Sequence, residues 1–240
     1  MRSRFAPAAA LGVAAALTLL SGPATASGAR TSVVKPEQEL ARLLTSHEVF
    51  SAPDGRPLRS GAVPAQRPIT GTQTVLPVVD HATTASGERW LRVMLPGRPN
   101  EGKGWIEQRG TLAATTRWHL VVRTSRRQVR AYRAGRLVRS FAAVVGKPST
   151  PTPRGRFFVE ESVRMLPGSA GTPYALATSA RSNVLQEFEG GPGQIALHGV
   201  GNLGGTPGTA VSHGCVRLAD GPIRWLAARI GPGVRVTIVS

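Results

Sequence analysis

The sequence of 240 residues has one cysteine, Cys215, so a disulfide within the chain is excluded and the thiol needs another use. Acid is scarce, with 13 Asp and Glu against 30 Lys and Arg, and so is lysine, since 27 of the 30 basic residues are arginine. The resulting net charge of +17 suits an anionic partner such as nucleic acid, acidic lipid or an acidic polymer. A plainer source of the excess is base bias in the genome, which favours arginine and alanine together. No internal repeat is visible, and beyond the first twenty residues no apolar run is long enough to cross a bilayer.

What is present begins with a leader. Arg2 and Arg4 precede an apolar stretch from Ala8 to Leu20, and Ala24-Thr25-Ala26 supplies the small-x-small pattern read by signal peptidase. A signal peptide over residues 1–26, cleaved after Ala26, is expected, with an uncleaved anchor as the alternative. The segment has no cysteine to carry a lipid. Export makes nucleic acid the least fitting of the anionic partners, and no stable membrane span is expected after processing. The charge is uneven. Residues 27–116 hold 11 basic and 8 acidic side chains, whereas 117–240 hold 17 and 5. Hydrophobic content of 41% with 28 glycines and 19 prolines favours a turn-rich, mainly β protein.

Along the chain, residues 27–46 read as a linker with a short helix. Pro36, Glu37 and Glu39 come first, and Leu40, Leu43 and Leu44 follow at helical spacing. Residues 47–115 break into short apolar runs. Val75 to Val79 reads as a strand whose Pro77 suits a sheet edge, and Trp90 to Leu95 alternates like a half-buried strand. The sequence Trp90-Leu91-Arg92-Val93, a polar loop and Gly104-Trp105-Ile106 together resemble a bacterial SH3-like domain, a small β-barrel with Trp90 and Trp105 in its core. From Trp118 the strand pattern strengthens through Val122, Val129 to Arg133 and Leu137 to Val145. Arginines 123, 126, 127, 130, 133, 136 and 139 follow without an acid between them and read as a solvated sheet face rather than a polyanion site. Residues 146–155 are too rich in proline for an element interior. Strands are expected again at Arg156 to Glu160, Tyr174 to Ser179, Gln194 to Leu197 and Val234 to Val239. A helix capped by Asp220 is expected to run from Pro222 to Ile230. His81 and His119 read as surface or capping residues.

Chemistry concentrates around the cysteine. Acyl transfer by a thiol needs a base near the sulfur and N–H donors where an oxyanion forms. His198 ends an apolar run seventeen residues upstream of Cys215, and His213 would share the thiol's side if residues 213–215 were extended. Gly199 and Gly214 let the backbone approach closely. A zinc site from His198, His213 and Cys215 is the metal alternative, but no fourth ligand lies nearby. A papain-like peptidase is disfavoured because there the cysteine precedes its histidine.

Ile195-Ala196-Leu197-His198-Gly199, a Gly/Pro-rich loop and Ser212-His213-Gly214-Cys215-Val216-Arg217 resemble the active-site signature of the YkuD-type L,D-transpeptidases. The likeness covers residues 117–240, including the loop Thr150 to Phe157, and implies a β-sandwich catalytic domain with a short C-terminal helix. It implies a cysteine acyltransferase acting on peptidoglycan stem peptides at the cell wall, with no cofactor and no metal. D-Ala would be released from a tetrapeptide stem and a 3→3 cross-link formed through a thioester. Cys215 would be the nucleophile and His198 the proton carrier, with backbone N–H groups of His213, Gly214 and Cys215 forming the oxyanion hole. Arg217 would steer a substrate carboxylate, Ser212 would brace the loop beside substrate and Gly199, and Tyr174 would line the cleft. The loop with four glycines from Gly201 to Gly208 would be mobile. An L,D-carboxypeptidase on the same stem and a non-catalytic wall-binding protein, using the arginine surface on anionic wall polymers, are the alternatives.

Overall fold

A computed structural model describes residue 1 and residues 34–58, 61–188 and 190–240. Apart from Met1, the expected signal peptide lies outside the described residues. The first sheet contains β1 (Gln38–Leu43), β2 (Val75–Thr83), β3 (Arg89–Met94), β4 (Lys103–Glu107) and β5 (Thr111–Thr116). It is antiparallel in the order β4-β3-β2-β1-β5.

Where a short helix is expected within residues 27–46, Gln38–Leu43 form the strand β1. Gln38, Leu40, Ala41 and Leu43 are buried and Glu39 and Arg42 exposed, a strand-like alternation with one slip. β1 has neighbours on both sides, pairing with β2 and with β5. Those two ladders override the helical spacing of three leucines. Pro77 is likewise not on an edge strand. It lies where β2 changes partners, since residues 75–77 face β1 and residues from Val78 onward face β3. A proline fits there because each half of β2 has a ladder on one side only. Trp90 is buried, as expected, with Phe50 edge-on to it at 5.2 Å.

The second sheet carries the chemistry. It contains β6 (Trp118–Arg123), β7 (Gln128–Arg133), β8 (Arg136–Ala142), β10 (Gly155–Arg164), β11 (Tyr174–Arg181), β12 (Gln194–Gly199), β14 (Val216–Leu218) and β15 (Arg235–Val239). A two-stranded pair, β9 (Val145–Gly146) and β13 (Ala210–Ser212), stands beside it, and the helix α1 (Asp220–Ala227) precedes β15. The order is β14-β12-β11-β10-β15-β6-β7-β8. β10 serves both halves: residues 155–158 pair with β15, and residues from Val159 onward pair with β11. Both halves bury one core, in which Leu120, Val122 and Val129 meet Leu176, Ile195 and Val216, with Ile223 and Leu226 of α1. Asp220 opens α1 as its first residue and Ala219 is the cap. The carboxylate therefore sits in the first turn, where the helix dipole favours it, without a capping bond. Part of the arginine run is used in packing: Arg133 lies over Trp118, and Arg139 and Arg229 lie over Trp225.

The two sheets are packed together, and the sequence boundary near residue 116 leaves no gap. Phe158 of β10 is fully buried in the core of the first sheet. Gln38 Nε2 donates to the Trp118 carbonyl at 2.8 Å, and Arg235 donates to the Val78 carbonyl at 2.8 Å. His119, expected at the surface, is buried in this seam with Nε2 2.8 Å from Thr237 Oγ1. Burial, and then the charge of Arg235, lower its pKa to about 4, so the ring is neutral at ordinary pH. Among the described residues no helix is long and apolar enough to cross a membrane.

Candidate active site

β12 and β14 pair in parallel with His198 opposite Arg217. Paired residues of a ladder face the same side, and so do residues two apart on a strand. The register therefore sets His198 and Arg217 toward one face, and Cys215 stands immediately before β14. All three line a cleft of about 880 Å³. His198 is 8% exposed, and its Nδ1 lies 2.7 Å from the Gly199 carbonyl oxygen. A carbonyl only accepts, so Nδ1 carries the proton and Nε2 presents a lone pair. Burial lowers the pKa of His198; the Gly199 bond opposes the shift and the nearby Arg217 adds to it. The imidazole is thus held as a neutral base.

The turn bearing the thiol is built tightly. Ser212, fully buried, donates through Oγ to the Cys215 carbonyl at 2.6 Å and accepts the Gly214 N–H at 3.1 Å. Gly214 has φ +126°, and a Cβ there would lie 3.0 Å from Ile195 Cδ1. The half-buried Cys215 points its Sγ toward the Gln194 carbonyl at 3.9 Å. The proline-rich loop holds this turn from behind. Thr150 Oγ1 donates to the Ser212 carbonyl at 3.2 Å and Thr152 Oγ1 to the Gly214 carbonyl at 2.8 Å. Sequence reasoning left both threonines without a role. Their hydroxyls, buried and separated by one proline, were the available signal.

The sequence model for the YkuD family, described as an L,D-transpeptidase catalytic domain, matches residues 117–238, half of the chain. The chain belongs to this family. A putative L,D-transpeptidase YkuD of Bacillus licheniformis is 31% identical over 124 residues, covering 52% of this chain and 67% of its own length. Its namesake from Bacillus subtilis is 28% identical with the same coverage. Among solved structures, L,D-transpeptidase 3 from Mycobacterium tuberculosis in complex with a faropenem-derived adduct overlaps at a TM-score of 0.43 and 16% identity. The overlap covers 68% of this chain and 94% of that one.

Within this YkuD chain several expected site residues take other positions. Ser212 and Gly199 are not among the residues that line the cleft: the first braces the turn, as expected, and the second pins His198. The Gly214 N–H is committed to Ser212. The 213–215 run is bent at Gly214 rather than extended, and the exposed His213 ring stacks on Phe188 with centroids 5.4 Å apart. Tyr174 packs against the hydrophobic core while its neighbour Ala175 faces the cleft, as strand alternation requires. Arg217 lines the cleft and donates to the Gly204 carbonyl. The glycine loop is stitched down as well, by Gly208 N–H to the Ala143 carbonyl at 2.9 Å and Val145 N–H to the Thr209 carbonyl at 3.0 Å. Among the described residues, no three His, Cys, Asp or Glu side chains are grouped to hold a metal ion.

The pKa direction gives a first prediction. Because the folded protein disfavours the imidazolium, His198 should stay neutral below its ordinary value of 6.5. The acid limb of kcat/KM is expected below pH 6.5, and an NMR titration of the ring should give the same midpoint. A midpoint above 6.5 would contradict the burial argument.

Proposed function

We propose that the protein is an exported L,D-transpeptidase that forms 3→3 cross-links between peptidoglycan stems through a thioester on Cys215. The observation that carries this reading is the His198 tautomer. Its Nδ1–H is held by the Gly199 carbonyl, and Nε2 is left as a base in a ring that lines the same cleft as the thiol. Nε2 takes the proton of Cys215, and the sulfur attacks the carbonyl joining the third stem residue to D-Ala. Negative charge gathers on that oxygen against the backbone N–H groups of His213 and Cys215, the Gly214 N–H being held by Ser212. When the tetrahedral intermediate collapses, the imidazolium protonates the departing D-Ala nitrogen and the stem is left as a thioester. An amine of a second stem then attacks, gives its proton to Nε2, and the thiol is restored. Arg217 offers its remaining guanidinium N–H groups to a stem carboxylate.

The test is intact-mass spectrometry of the protein with a disaccharide-tetrapeptide. A transient adduct lighter than the intact stem by D-Ala, together with dimers short of one D-Ala, is expected. Loss of D-Ala without dimers would move the assignment to a carboxypeptidase using water. Absence of both adduct and turnover from folded protein would leave wall binding as the better account.

A further inference from the structure

The cleft is not built by residues 117–240 alone. Ile69, from the first sheet's side of the molecule, lines it and is 62% exposed. An apolar, β-branched side chain at the tip of a turn gains nothing from water there. The turn bearing it is fixed from both sides. Arg67 N–H donates to the Thr72 carbonyl at 2.8 Å, and Gly71 N–H to the Arg67 carbonyl at 3.0 Å. On the left of Ile69 the Arg67 guanidinium meets Glu160, and its Nε lies 3.7 Å from Glu161. On the right Thr70 gives both its N–H and its hydroxyl to Glu161 Oε2, each at 2.9 Å. Consecutive strand residues ordinarily face opposite ways, but β10 has a bulge between Val159 and Glu161. Glu160 and Glu161 therefore both reach this turn. Burial pushes the Glu160 carboxyl up, and the guanidiniums of Arg181 and Arg67 pull it back.

A second loop of the first sheet grips another wall. Asn100 accepts the Arg181 N–H at 2.8 Å through Oδ1 and donates to the Arg181 carbonyl at 2.8 Å through Nδ2. Its amide thus replaces a strand neighbour at the end of β11. Arg98 donates to the Leu185 carbonyl at 3.3 Å. From this grip leads the segment bearing Leu185 and Phe188, which line the cleft, and Phe188 carries the stacked ring of His213.

We propose that the N-terminal sheet is a working part of the substrate cleft: Ile69 is a specificity-determining wall residue for the aliphatic part of a stem peptide. Asn100 is a positioning residue that sets the Leu185–Phe188 wall. The proposal rests on the stem-peptide reading above. Ile69→Ser should raise KM for the disaccharide-tetrapeptide about 10-fold with kcat within about 2-fold, because lost apolar contact in a pocket is worth at least that much. Ile69→Val should restore KM, and alkylation of Cys215 by iodoacetamide should be unchanged in both. Asn100→Ala should speed amide exchange at Leu185 and Phe188 by about 10-fold or more and raise KM. Wild-type KM in Ile69→Ser would overturn the wall role, and unchanged exchange in Asn100→Ala would overturn the clamp. A wild-type protein that forms no acyl-enzyme would sink the stem-peptide reading and the role of Ile69 with it. The exchange measurement, which needs no turnover, would still decide the clamp.

Discussion

Cys215→Ala is expected to abolish adduct formation and to lower D-Ala release by at least about 10⁴-fold, while the protein stays folded. The thiol is half-buried, and the turn that bears it is held by hydrogen bonds from Ser212, Thr150 and Thr152. What disappears is the attacking atom. Cys215→Ser makes a sharper test. A base whose pKa is held below 6.5 takes the proton of a thiol, whose ordinary pKa is about 8.5, far more readily than that of an aliphatic hydroxyl, which is a much weaker acid. The serine variant should therefore be slower by at least about 10³-fold, although its side chain fits the same space. A serine variant within about 10-fold of wild type would mean that the acidity of the nucleophile does not limit turnover. Thermal unfolding and stem-peptide turnover, measured on both variants, separate loss of chemistry from loss of fold.

Gly199→Ala should be nearly as damaging, for a different reason. A Cβ on Gly199 would lie 1.8 Å from the Thr172 carbonyl oxygen, 2.6 Å from its carbon and 2.9 Å from Pro173 Cδ. None of these atoms is the end of a flexible side chain, so residue 199 itself must move. Its N–H is bonded to the Gly171 carbonyl at 3.0 Å, and its own carbonyl fixes the His198 tautomer. The expected cost is about 3 kcal/mol of stability, at the upper end for overpacking, together with a loss of at least about 10²-fold in kcat. Gly221→Ala is the control, since no atom would lie within 4 Å of its Cβ and alanine suits a helix better than glycine. Calorimetry should find that control unchanged or slightly stabilised. An active, stable Gly199→Ala protein would show that His198 needs no backbone acceptor.

The candidate site residues were legible because they lie in two short runs. His198-Gly199 and Ser212 to Arg217 each combine a reactive side chain with glycines that only a close backbone approach requires. Strands such as Trp118–Arg123 and Arg235–Val239 were legible from apolar runs and period-two alternation. What escaped depends on distant partners. Leu40, Leu43 and Leu44 satisfy helical spacing as well as they satisfy a strand with two neighbours, and only β2 and β5 decide between them. His119 gave no sign of burial because the covering groups, Gln38 and Thr237, lie about eighty residues before and well over a hundred after it. Ile69 and Asn100 are ordinary turn residues by local pattern. Their meaning comes from Glu161 and Arg181, across separations no spacing rule reaches.

The strand β10 divides its side chains between two owners, Phe157 going to one core and its neighbour Phe158 to the other. Grafting the catalytic half onto a foreign carrier would therefore be a transplant through living tissue rather than a cut at a joint. A shortened chain starting at residue 117 would carry a naked phenylalanine and a stranded carboxylate, Glu161, on its outer wall, and would leave Glu160 with Arg181 alone. Shuffling in this lineage would have to exchange the front piece and the middle of β10 together.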